Sequence, residues 1–126
     1  RLPIQYAFSY PERWDGALPT LDLARAGRLE FFTPDHGRFP CLGLAYRALA
    51  AGPSHPVVLN AANEVAVAAF LDGRLPFPGI PRVIEGALAA HAGEAAVPLR
   101  DLADIRHLDR WAHAFAAESV RALQSV

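Results

Sequence analysis

The polarity pattern is mixed along most of the chain and turns almost wholly apolar in one stretch. Residues 59–71 read LNAANEVAVAAFL, and from Val65 to Leu71 no polar side chain interrupts the run. A helix with so little polar face belongs inside a bundle or a membrane. About a dozen residues cannot span a bilayer, which needs roughly 20. The pattern predicts the buried helix of a small bundle. Asn60 suits its N-cap, where a side-chain oxygen accepts from the free amides of the first turn. Glu64 then places negative charge where the helix dipole favours it. Asp72-Gly73-Arg74 ends the run, with Gly73 able to take the left-handed C′ conformation.

On either side the pattern separates an arm from further helices. Pro3, Pro11, Pro19, Pro34 and Pro40 prevent any long helix through the first part. Residues 4–8 fit a short helix after Pro3, residues 21–25 fit one helical turn, and Asp15-Gly16 fits a turn. Residues 28–32, from Arg28 to Phe32, are the best strand candidate, although a lone strand cannot satisfy its own backbone groups. Residues 1–38 are read as an extended Pro-rich linker arm with one short strand at 28–32. Residues 39–126 are read as a mainly α, small antiparallel bundle of about four helices. Pro40 opens a helix over residues 40–51 that stops at Gly52, and Pro53–Pro56 is read as a connection. Ile80-Pro81 opens the next helix, with Val83, Ile84, Ala87, Leu88 and His91 on one stripe and Gly93 as its stop. Asp101 is placed as the cap of a short helix over 99–107. Asp109 is placed as the N-cap of a last helix over 110–124, with Trp111, Phe115, Ser119 and Ala122 marking a face. Short connections favour antiparallel neighbours.

Composition narrows the function classes. The 126 residues are 52% hydrophobic and 20% charged, enough for a core and unlike a disordered chain. A net charge of −1 argues against nucleic-acid or anionic-membrane surfaces. Every basic residue is Arg, and the single Cys permits no internal disulfide, which fits a reducing cytoplasm. These 126 residues carry no signal-peptide pattern and no apolar run of membrane-spanning length, so no targeting or membrane role is expected from them. The chain lacks Met and opens on Arg1, so it is expected to be a fragment, a processed product or an incomplete chain.

Catalytic patterns are absent. His36, His55, His91, His107 and His113 form no HxxxH pair, and Cys41 has no CxxC partner, so no metal site is assigned. The histidines are read as surface or half-buried. Cys41, just inside a helix start, has a place where a thiolate can be stabilised, but is read as a small core residue. No serine stands in a GxSxG context, and no glycine pattern matches a dinucleotide or phosphate loop. Asp101 and Asp104 are read as cap and solvent-face residues. Asn60, Asn63 and Glu64 are the densest polar cluster beside an apolar run. They are read as a cap and hydrogen-bond network, with a ligand site as the competing reading. No catalytic, cofactor-binding or metal residue is assigned in this chain.

Two stretches carry a resemblance. Residues 1–7, RLPIQYA, with Tyr10-Pro11-Glu12-Arg13, resemble the linker of the 1-deoxy-D-xylulose 5-phosphate reductoisomerases. Phe39-Pro40-Cys41-Leu42, then residues 59–71, resemble the start of that family's C-terminal domain. Residues 77–80 before a helix, and Asp109, continue the match in order. The resemblance implies an oxidoreductase and isomerase of non-mevalonate isoprenoid biosynthesis, turning 1-deoxy-D-xylulose 5-phosphate into 2-C-methyl-D-erythritol 4-phosphate with NADPH and a divalent cation, Mg or Mn. It implies a homodimeric parent in which an N-terminal NADP-binding domain and a central catalytic domain precede this helical part. The metal ligands, phosphate-binding residues and nucleotide loop of the family lie in those earlier domains, and none maps onto a position here. Arg1–Ile4 would be peripheral to the pocket. The chain is thus expected to support a catalytic domain through its arm and one bundle face, and to be inactive alone. A free-standing helical interaction module is the alternative, and an enzyme with a site around Asn60, Asn63 and Glu64 is a third reading.

Overall fold

A computed structural model of the chain describes residues 2–15, 21–93 and 99–124. Six helices follow in order: α1 Leu2–Ser9, α2 Leu23–Ala26, α3 Pro40–Ala51, α4 Ser54–Leu71, α5 Gly79–Ala92 and α6 Leu102–Gln124. The chain divides into two compact units, residues 1–33 and 34–126.

The first unit is held by polar and ring contacts. Gln5 Nε2 donates to the Trp14 carbonyl at 2.9 Å, and Ser9 Oγ donates to the Glu12 carbonyl at 2.6 Å. The Arg13 guanidinium lies 4.5 Å above the Tyr6 ring, which meets Tyr10 edge-on at 5.8 Å. Asp22 caps α2 by accepting from the Ala24 and Arg25 amides. The expected strand at Arg28–Phe32 does not form: these residues lie outside any regular element, and no strand occurs among the described residues. The strand residues find no ladder partner there. The expected turn at Asp15-Gly16 lies partly outside the described residues.

The second unit is the four-helix bundle. Asp35 starts it with a turn, accepting from the Arg38 and Phe39 amides. Pro40 then opens α3, where its missing N–H is no loss. Helix α4 packs on α3, α5 and α6, so it is the packing centre. Successive helices run antiparallel. The start of α4 meets the end of α5 through Ser54 and His91, while Gln124 at the end of α6 donates to the Arg74 carbonyl just beyond α4.

The buried surfaces of α4 and α6 are rich in alanine: Ala61, Ala62, Ala66 and Ala69 on α4 and Ala112 and Ala116 on α6 are all fully buried in one core cluster. Small side chains let the two backbones approach. Val58, Val83 and Val120 are the largest fully buried side chains, each contributing roughly 1.5–3 kcal/mol. Gly73 adopts φ of 71° after α4, and the Arg74 amide returns to the Ala69 carbonyl at 2.8 Å. That satisfies carbonyls the helix end would otherwise leave open.

Three local expectations are corrected. Helix α4 begins at Ser54, so Asn60 lies inside it and caps nothing. Pro56 stands at the third helical position, where proline is tolerated because no intrahelical donor is needed. Helix α6 is continuous from Leu102, so Asp109 is an interior residue. Its buried stripe is Leu108, Ala112, Ala116 and Val120; Trp111 and Phe115 sit half-buried at its flank and Ala122 is exposed. Alanine fills the buried stripe, and the two bulky rings stack on each other beside it at 5.7 Å.

Candidate functional site

The sequence-marked polar cluster forms a bridge between α4 and α6. Asn60 Nδ2 donates to Glu64 Oε1 at 2.9 Å, one turn on along the same helix face. The other carboxylate oxygen of Glu64 lies 3.5 Å from His113 Nε2. His113 Nδ1 donates to the Asp109 carbonyl at 2.9 Å and sits 3.4 Å from the Asp109 carboxylate. Its side chains are 37–59% exposed, so the network is a solvated brace between helices. Asn63 is half-buried and lines a separate groove that neither Asn60 nor Glu64 lines.

The acidic pair at the start of α6 does capping work. Asp101 Oδ1 accepts from the Asp104 amide at 2.9 Å. Asp104 Oδ2 accepts from the Arg100 amide at 3.0 Å and from Arg100 Nε at 3.2 Å. The Arg100 amide first, and then its guanidinium, hold the Asp104 carboxyl below the usual aspartate range.

The histidines divide. His36 and His107 are exposed, His55 and His113 are half-buried, and His91 is buried at 4% exposure, against expectation. His91 Nε2 is hydrogen-bonded to Ser54 Oγ at 2.8 Å, and its ring meets His55 edge-on at 4.9 Å and Trp111 at 5.8 Å. Its place on the apolar stripe of α5 was the available signal, because a residue there faces the core whatever its polarity. Cys41 is exposed, not a core residue, since α3 buries only Leu44 and Ala48. What burial its thiol has raises its pKa, which opposes a reactive thiolate.

A groove of about 510 Å³ runs beside the first turn of α3. It is lined by Phe39, Pro40 and Cys41 at the start of α3, by Asn63 and Val67 of α4, and by Phe77, Pro78, Ile80, Pro81 and Arg82 around the start of α5. Sequence reading missed it; the signal was two aromatic residues, Phe39 and Phe77, each beside a proline at a helix start. A smaller hollow of about 260 Å³ lies between α3 and α5, with the Arg47–Glu85 ion pair at 3.0 Å on its rim. Among the described residues no group of three or more His, Cys, Asp or Glu side chains could hold a metal ion. The arrangement offers apolar packing surfaces and a polar brace between α4 and α6.

Known proteins match the chain along nearly all its length. Residues 1–115 match the family model described as the DXP reductoisomerase C-terminal domain. The 1-deoxy-D-xylulose 5-phosphate reductoisomerase of Bordetella avium is 55% identical over 92% of this chain and 29% of its own length. That of Trichlorobacter lovleyi is 47% identical over 99% of this chain and 31% of its own. The Zymomonas mobilis reductoisomerase solved in complex with NADPH superposes with a TM-score of 0.82 at 35% identity, covering 94% of this chain and 31% of that one. A reductoisomerase solved with fosmidomycin and magnesium gives a TM-score of 0.83 at 32% identity, covering 98% and 32%. The chain spans about 30% of the length of the relatives it matches. It belongs to the DXP reductoisomerase C-terminal domain family.

Proposed function

We propose that this chain is the C-terminal helical part, with its preceding arm, of an NADPH-dependent reductoisomerase. The parent converts 1-deoxy-D-xylulose 5-phosphate to 2-C-methyl-D-erythritol 4-phosphate in non-mevalonate isoprenoid synthesis. It works in the cytoplasm as a homodimer. Residues 1–38 act as the linking arm against the catalytic domain, and residues 39–126 act as a structural support with no active site of their own.

The observation that carries this reading is the match along residues 1–115 to a C-terminal domain that makes up under a third of its full-length relatives. The side chains present agree with a supporting role. Phe8, Phe31 and Phe32 of the arm are each at least 80% exposed, as surfaces awaiting cover would be. NADPH and a divalent Mg or Mn ion belong to the parent reaction. The described residues do not fit either group: they supply no metal-ligand cluster, and the chain has no glycine-rich phosphate loop. Both are assigned to the rest of the parent. No described helix is long and apolar enough to cross a membrane.

The mass of the natural gene product tests the reading. A polypeptide about three times as long as this chain supports it, since the relatives are that much longer. A natural product of only 126 residues would favour the free-standing interaction module instead.

A further inference from the structure

We infer that the groove beside the first turn of α3 is the face on which the bundle docks, and that an apolar segment carrying an acidic residue, from the parent's catalytic portion, fills it. This rests on the parent reading above and names the surface and the chemistry of its partner. The first argument is where apolar surface is left open. Phe39 and Phe77, which both line the groove, are 53% and 58% exposed. The Phe77 ring packs edge-on against Phe70 at 5.7 Å, which narrows its rotamer freedom. A ring already restrained loses less side-chain entropy on docking. The outer face of α6, by contrast, carries Arg106, Arg110 and Glu118 and is suited to water beyond its first turn, where Leu102 and Ile105 are exposed.

The second argument is charge. Arg38 and Arg82 both line the groove, and neither has an ion pair among the described residues. The Arg38 guanidinium lies over the Phe39 ring at 5.8 Å, and the lining Glu85 is already paired with Arg47 at 3.0 Å. The groove therefore offers net positive charge beside apolar walls. A carboxylate on the incoming segment would complete it. The third argument is supply: about 70% of the relatives' length lies outside this chain, so the parent has ample surface to provide that segment.

Cys41 lines the groove and is exposed in this chain, which makes its thiol a reporter of cover. The test measures iodoacetamide alkylation of Cys41, by peptide mass mapping, in the intact parent and in the 126-residue chain. Wild-type parent, Arg82→Glu, and Arg106→Glu on the outer face of α6 are compared. Cys41 should react at least tenfold slower in wild-type parent than in the chain. Arg82→Glu should restore at least tenfold of that rate, and Arg106→Glu should not. Equal rates in parent and chain would overturn the docking face. Protection that ignores Arg82→Glu would overturn the acidic segment, and protection lost on dilution would point to a second copy instead. Reductoisomerase turnover by the wild-type parent is measured alongside, so that failure of the parent reading is seen separately.

Discussion

His91 Nε2, near the end of α5, lies 2.8 Å from Ser54 Oγ, the first residue of α4. Both residues are buried, at 4% and 8% exposure, so this hydrogen bond ties two helix ends together where water cannot replace it. Removing the hydroxyl takes one buried hydrogen bond from the His91 imidazole, at a cost of about 1–3 kcal/mol. Ser54→Ala should lower the unfolding free energy by that amount in urea titration. An unchanged midpoint would mean that the bond contributes nothing.

Two glycines should respond in opposite directions. A Cβ at Gly79 would fall 2.6 Å from Leu75 Cδ1 and 2.7 Å from its Cγ. Leu75 is itself buried at 3% exposure and has little room to yield. Gly79→Ala should destabilise by roughly 1–3 kcal/mol, as overpacking does. At Gly86, inside α5, a Cβ would meet only Phe115 Cε1 at 3.9 Å, an ordinary contact. Gly86→Ala should stabilise by about 0.5–1 kcal/mol through the lower backbone entropy of alanine. Thermal unfolding of both variants reads the two signs, and a shared sign would contradict the packing described.

These features differ in how legible they were. Pro40 with Gly52, and Pro81 with Gly93, mark the ends of α3 and α5 closely, because backbone restrictions act locally. Asn60 and Asp109 mislead for the same reason. Their side chains have capping chemistry, but tertiary packing extends α4 and α6 through them. Arg28–Phe32 has strand-like residues, yet a strand needs a partner that no local pattern reveals. The groove is non-local as well: its walls come from residues about 40 positions apart. The Asn60–Glu64 bond follows from their four-residue spacing, whereas His113 reaches Glu64 only through the packing of α6 on α4.

The start of α6 should give stability a pH dependence at low pH. The Arg100 amide, followed by its guanidinium, lowers the Asp104 pKa in the folded chain relative to the unfolded one. The stabilisation is fully present above the ordinary aspartate value of about 3.9 and is lost as pH falls through the lowered folded value. Asp104→Asn should therefore be less stable than wild type at neutral pH, and the gap should close on acidification below about pH 4. Unfolding midpoints measured from pH 7 to pH 2 check this, and a gap that is constant across the range would rule it out.

Under the proposed function these helices support an active site that lies elsewhere in the parent. NADPH oxidation with 1-deoxy-D-xylulose 5-phosphate and Mg²⁺ tests it, assayed for the intact parent, for the 126-residue chain, and for the parent lacking residues 34–126. The intact parent should turn over, the chain alone should not, and the truncated parent should lose most of its rate. Turnover by the chain alone, or an undiminished rate without residues 34–126, would contradict the account.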